Sequence, residues 1–427
     1  MSLPLRQHTP EVVPSRTRPP AVFGALFQGG RSPIVEPGGL LDLPIARKWF
    51  DLLRWGVNHD LYTYQQSLAG RTGPRAVADG RPVLMLSSYD YLGLVGHPAI
   101  ERAAIEGIRR YGTGTGGVRL LTGTADIHGE LEREISAFKG TTAAITFSSG
   151  YSANLAAIPS LVGPDDLVLA DSLAHRSLLD ACLLARVPVK RFRHNDPAAL
   201  EKELLAASPS RRLLVVIEGV YSMEGDIGLL PSFVELKQRF GAFLLVDEAH
   251  SLGVLGQGGR GVHEHFGVPS SAVDVWTGSL SKAIASTGGF IAGSQGLITY
   301  LQHQAATFIF SSALSPAAAG AARAALQVIA SEPERLAALR RNTGHLRDGL
   351  RDLGFDVGSG TAPIIPVKVK QDVAAYRLAR ELLDRGVLAT AVVHPAVPRG
   401  EARLRLCATA AHTARDIDDA LRAFAGL

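Results

Sequence analysis

The chain has only two cysteines in 427 residues, Cys182 and Cys407. Two thiols cannot build a disulfide framework, so they are read as buried, inert groups in a reducing compartment. Long apolar runs are also missing: no stretch approaches the roughly 20 residues that a membrane helix needs. The N-terminal run MSLPLRQHTPEVVPSRTRPP carries prolines but no compact apolar segment, so it does not read as a secretory signal, and the cytoplasm is the expected location. Charge of one sign is scarce. The net charge is +4 and its basic residues are scattered, whereas a nucleic-acid surface needs a dense basic patch. What is present is ordinary for an enzyme: 46% hydrophobic residues over this length can fill a large core and more than one domain.

Residues up to about Pro37 are rich in Pro, Gly, Arg and Ser and read as an extended or disordered leader. DLPIARKWFDLLRWG has helical spacing and suits a docking helix, and RPVLMLSSYDYLGL reads as a strand ending in a turn. TAAITFSS, LVLAD, RLLVVIEGV and AFLLVDEA are near-continuous apolar runs, the pattern of parallel strands buried on both faces. Helical patterns alternate with them, which predicts an α/β fold with a mostly parallel sheet and right-handed crossovers. Past Pro316, two helical stretches, APIIPVKV, a further helix and ARLRLCAT predict a smaller α+β C-terminal domain. The expected division is a leader and docking helix at 1–68, a large domain at 69–315 and a small domain at 316–427.

One glycine-rich loop needs a decision. Gly112, Gly114 and Gly117 in YGTGTGGV fit the G-x-G-x-x-G dinucleotide fingerprint. Such a loop must follow a strand and open a helix. Here PAIERAAIEGIRRY precedes it, with helical spacing, and Arg119 stands where a small or apolar residue is expected. The nucleotide reading is therefore set aside.

The chemistry concentrates in FLLVDEAHSLGVLGQGGRG and VWTGSLSKAIASTGGF. Asp247 ends an apolar strand, His250 follows it, and Lys282 lies in a Ser/Gly-rich loop with Ser279 close by. Open α/β sheets bind ligands at the C-terminal ends of their strands. A buried carboxylate there needs a cation, which a pyridinium nitrogen supplies, and a lysine in a roomy loop can form a Schiff base. This is the pattern of a pyridoxal phosphate enzyme. Ser149, Gly150 and Tyr151 lie between a strand and a helix, where amides can hold a phosphate. His175 lies just past another strand, placed to stack on a flat ring or act as an acid. Ser222 leaves a further strand in reach of the ring oxygen. His263 and His265 lack the spacing of a metal motif, and no metal is expected.

These runs, with SSYDYLGLVGHP, TGTADIHGELE, HRSLLDA, FIFSSALSP and ARLRLCATAAHT, resemble the α-oxoamine synthases from about Leu84 to Phe424. These are fold-type-I pyridoxal phosphate enzymes that condense an amino acid with an acyl thioester and lose carbon dioxide. Relatives include 8-amino-7-oxononanoate synthase, glycine C-acetyltransferase, 5-aminolevulinate synthase and serine palmitoyltransferase. The resemblance implies a Schiff base on Lys282, His175 over the ring, Asp247 on the pyridinium, and His250 and Ser222 on the ring oxygen. Ser279, where the family commonly has Thr, would contact phosphate, and Ser311 and Ser312 would do so from the neighbouring subunit, implying a homodimer with shared sites. Arg405 matches the arginine that binds the substrate carboxylate. Tyr89 and Val118 depart from several members. Tyr89 matches the serine palmitoyltransferase-like ones, and Val118 argues against succinyl-CoA. The wording around Lys282 and Ser222 resembles polyketide-associated members, which take acyl groups from a carrier protein rather than coenzyme A. An aminotransferase, or specifically 8-amino-7-oxononanoate synthase, stands as the alternative.

Overall fold

In a computed structural model the described residues are 39–207 and 211–427. The expected leader lies outside them. The centre is a seven-stranded sheet. Its strands run, in spatial order, Ala143–Phe147, Gly289–Gly293, Val275–Ser279, Phe243–Asp247, Leu213–Glu218, Leu167–Asp171 and Val189–Phe192. The last five are mutually parallel, and Gly289–Gly293 runs antiparallel to both of its neighbours. Leu213–Glu218 and Leu167–Asp171 are buried along their whole length, because helices cover both faces of the sheet.

The four expected apolar strands are all present. Three further strands were not expected. Val275–Ser279 and Gly289–Gly293 flank the lysine stretch that reads as loop; their Gly and Ser residues conceal the apolar run although every residue is buried. Val189–Phe192 is an edge strand with exposed Val189, Lys190 and Arg191, which hides its pattern.

This topology places Asp171, Glu218, Asp247 and Ser279 at the C-terminal ends of four neighbouring strands, with Glu218 directly opposite Asp247 in register. A polar crevice over an apolar sheet follows.

A three-stranded sheet, Ile364–Lys370, Ala402–Cys407 and Thr390–Val392, leans over that crevice. The packing crosses the expected division at 315/316. Arg81–Met85 pairs in parallel with Val387–Leu388, and Leu84 and Leu86 bury among the C-terminal helices. The helix Pro316–Ser331 buries in the core of the large sheet. The helix Pro44–Asn58 keeps Ile45 and Trp49 exposed, so its apolar face is not used up within one chain.

YGTGTGGV follows the helix Pro98–Tyr111, and Gly112 ends that helix at φ 82°. A Cβ on Gly117 would collide with Thr122, so its lack of a side chain allows the loop to fold back on itself. Arg119 is buried on Glu132 through two bonds, 2.7 and 3.0 Å, so this end of the loop is an internal ion pair.

Candidate active site

The floor of the crevice is acidic. Asp247 is buried; one carboxylate oxygen accepts from Asn154 Nδ2 at 2.8 Å and the other from the Ala249 amide at 2.9 Å. Asn154 Nδ2 also reaches Ser177 Oγ at 2.9 Å, while its Oδ1 is buried without a protein partner. Glu218, beside Asp247, has its pKa raised well above the ordinary range by burial and by the Asp247 charge. Its Oε1 accepts from the His175 amide at 2.6 Å. His175 caps the helix Arg176–Ala185 and stays exposed above this floor, its Nδ1 held 2.7 Å from Ser177 Oγ.

Lys282 lies in the turn between Val275–Ser279 and Gly289–Gly293, which is closed by bonds from Ala285 and Ser286 to Lys282 and Leu280 carbonyls. Burial lowers its pKa, Asp247 works against that shift, and Arg405 adds to it. Its Nζ stands 5.5 Å over the ring of Tyr89, which is exposed at the mouth. Opposite lies a chain running from half-buried Arg405 to buried Tyr91 and His250: Arg405 Nη2 to Tyr91 Oη at 3.4 Å, and Tyr91 Oη to His250 Nδ1 at 2.8 Å. Burial first, then the Arg405 and Lys282 charges, hold the His250 pKa well below its usual value, so the ring is neutral. Arg405 Nε donates to the Ser222 carbonyl at 2.6 Å, and Cys407 Sγ lies 3.4 Å from Arg405 Nη1. Both cysteines are buried and free.

The third wall is a helix end. Ser149 caps Gly150–Leu161 by accepting from Ser152, and helix geometry leaves the amides of Gly150 and Tyr151 without intrahelical acceptors. Ser279 Oγ lies 2.8 Å from Ser281 Oγ. A Cβ on Gly150 would come within 3.1 Å of Ser279, and one on Gly289 would collide with Ser149 and Gly150. The Tyr151 hydroxyl turns away to Asp180. Val118 forms an isolated antiparallel bridge with Ser312, beside half-buried Ser311, so these three residues sit together at the loop and not on the acidic floor.

This donor set fits pyridoxal phosphate. A buried carboxylate braced by Asn154 suits a protonated ring nitrogen, a half-buried lysine suits the aldehyde, and a glycine-lined helix start with two serines suits a phosphate. Orphaned Asn154 Oδ1 and Thr277 Oγ1 show that the protein alone does not satisfy this floor. Tyr91, Asn154, Ser177 and Glu218 were not singled out in the sequence. The signal for Asn154 was available: it follows Gly150 by one helical turn, on the face toward Asp247.

The chain matches the aminotransferase class I and II family over residues 81–424. It is 43% identical over 366 residues to 8-amino-7-oxononanoate synthase of Symbiobacterium thermophilum, covering 86% of this chain and 93% of that one. It is 39% identical over 383 residues to serine palmitoyltransferase of Bacteroides thetaiotaomicron, covering 90% and 96%. A solved serine palmitoyltransferase from S. paucimobilis, with pyridoxal phosphate and myriocin bound, superposes with a TM-score of 0.86 at 32% identity, covering 88% of this chain and 96% of that one. The chain belongs to the aminotransferase class I and II family and, within it, to the α-oxoamine synthases, pyridoxal phosphate-dependent acyltransferases that condense an amino acid with an acyl thioester and release carbon dioxide.

Proposed function

We propose that Lys282, Asp247, His175, His250, Ser222 and Arg405 carry this condensation in the roles that their placement allows. Bound pyridoxal phosphate supplies an electron sink for a carbanion at the amino acid's α-carbon. Asp247, braced by Asn154, would hold the ring nitrogen protonated. Lys282 Nζ would hold the aldehyde carbon and would serve as the base for the substrate's α-proton; its lowered pKa favours the free amine that this needs. Neutral His250 and the Ser222 hydroxyl would donate to the ring oxygen. Ser149, Gly150, Tyr151, Ser279 and Ser281 would hold the phosphate. His175, its Nδ1 tied to Ser177, would cover the ring and present Nε2 to the thioester carbonyl. Tyr89 and Val118 shape the mouth and so the choice of acyl donor, whether coenzyme A or a carrier protein bears it.

The single observation that carries the reading is the placement of Arg405. A guanidinium fixed by the Ser222 carbonyl and Tyr91 sits across from Lys282, where it can grip an amino acid's carboxylate at two points. The test is an amino-acid screen on the holoenzyme, following the cofactor's absorbance, with a panel of acyl thioesters added to the responders. One amino acid is expected to shift the band, and a thioester then to be consumed with release of thiol. A Lys282→Ala protein with unchanged turnover would refute the assignment.

We further propose a homodimer whose sites are completed by Ser311 and Ser312 of the neighbouring copy. Support comes from Phe310, 83% exposed, and Leu121, 77% exposed, large apolar side chains close in sequence to the Val118–Ser312 bridge that a second copy would cover. The three-part division at 68/69 and 315/316 is kept as a proposal, with the crossing strand and helix as its joints. No helix among the described residues is long and apolar enough to cross a membrane. Free buried thiols support a cytoplasmic location.

A further inference from the structure

A second polar cluster lies behind the crevice. Asp171 ends the strand Leu167–Asp171 with its side chain fully buried, and His194 follows the strand Val189–Phe192. His194 Nδ1 lies 2.9 Å from Asp171 Oδ1, and its Nε2 lies 3.0 Å from Asp226 Oδ2. A ring that faces a carboxylate at each nitrogen must donate from both, so it carries a proton on each. Further donors complete Asp171 and the Oδ2 of Asp226, whereas Asp226 Oδ1 is buried without a hydrogen-bond partner. Tyr221 Oη donates to Asp171 at 2.9 Å, the Asn195 amide donates to Asp171 at 2.7 Å, and Asn195 Nδ2 donates to Asp226 at 2.8 Å. The imidazole edge rests on the Tyr221 ring at 4.4 Å.

Asp226 belongs to the turn from Tyr221 to Gly228, which carries Ser222. The outer side of that turn is where the small sheet meets the large one. Arg405 Nε donates to the Ser222 carbonyl at 2.6 Å, Arg403 Nη1 to the Met223 carbonyl at 3.1 Å and to Glu224 at 3.0 Å, and the Ala362 amide to the Gly225 carbonyl at 3.2 Å. Gly225, at φ 70°, lies so close to Ile364 that any Cβ would collide with its carbonyl. The turn is thus held from below by His194 and from above by Arg403 and Arg405.

We infer that His194 is a positioning residue for the amino-acid substrate: by bridging Asp171 and Asp226 it fixes the Tyr221–Gly228 turn, whose Ser222 carbonyl fixes the Arg405 guanidinium. The inference rests on the reading of Arg405 as the carboxylate grip. The charged and titratable groups facing His194 are Asp171, Asp226, Tyr221 and, at longer range, Glu224.

The test uses the holoenzyme and two variants. His194→Phe keeps a ring against Tyr221 but removes both donors. Asp226→Asn removes the charge and keeps the shape, so it decides the matter if the first variant does not fold. Both are expected to raise the KM for the amino acid about tenfold or more while the thioester KM stays within about twofold. Hydrogen exchange of residues 221–228 should quicken in both, with the strand Leu213–Glu218 unchanged as the control for general loosening. Wild-type exchange in that turn, or equal rises in both KM values, overturns the inference. An Arg405→Lys protein measured in parallel separates the two readings. An unchanged amino-acid KM there refutes the grip and the catalytic half of this inference, while the exchange data judge the clamp on their own.

Discussion

Lys282 and His194 show how placement sets the chemistry of a single side chain. Burial lowers the pKa of Lys282, which favours the free amine. His194 goes the other way: burial pulls its pKa down, but hydrogen bonds and charge from Asp171 and Asp226 outweigh this and carry it from 6.5 up to about 10. A group whose folded pKa is raised adds stability that is complete below the unfolded value and fades as pH rises through the folded one. The Tm difference between the native protein and His194→Phe should therefore be largest below about pH 6.5 and shrink toward pH 10. A difference that grows over that range would contradict the assigned charge. Lys282, Asp247, His250 and His175 could be picked out in the sequence, because each follows a recognisable strand or small-residue stretch. Tyr91 and Glu218 could not, and Asn154 offered only its spacing of one helical turn from Gly150. Their partners lie far along the chain, 159 residues for Tyr91 with His250 and 93 for Asn154 with Asp247. Only the folded sheet brings such pairs together.

At the level of elements, the site is the product of parallel strands that end in register. Continuous Leu and Val runs made four of the strands legible. Val275–Ser279 and Gly289–Gly293 were not, because close packing on the helix start at Gly150 demands small residues and these mask the strand pattern. That requirement can be tested. In Gly289→Ala the new methyl would meet Ser149 and Gly150, so backbone must shift at the phosphate wall. The expected cost is about 1–3 kcal/mol, read as a lower Tm, with weaker cofactor retention on dialysis. An Ala variant with native stability and cofactor content would show that this wall is looser than the packing indicates. The YGTGTGGV loop marks the opposite case. Its glycines resemble a nucleotide cradle in isolation, but the helix before it and the Arg119–Glu132 pair after it assign them to chain reversal beside Ser312.

At the scale of the whole molecule, the proposed second copy would lie against exposed Leu121 and Phe310 and the two serines that follow Phe310. If sites are shared, a Lys282→Ala protein mixed with a Ser311→Asp, Ser312→Asp protein should regain activity that neither has alone. Random pairing of two copies makes half the dimers mixed, each with one intact site, so about 25% of native activity is expected. No recovery after subunit exchange would place those serines outside the neighbour's site. Fold class and reaction type were legible in the sequence because strand runs and site residues occur in the family's order; the joint between the two sheets was not, since it depends on Arg81–Met85 pairing with Val387–Leu388 across most of the chain. The most direct test of the reaction itself is to supply the responding amino acid labelled with 13C at its carboxyl carbon, together with the responding thioester. One labelled carbon dioxide should appear for each thiol released, and none without thioester. Label retained in a keto acid, or carbon dioxide released independently of the thioester, would contradict the account.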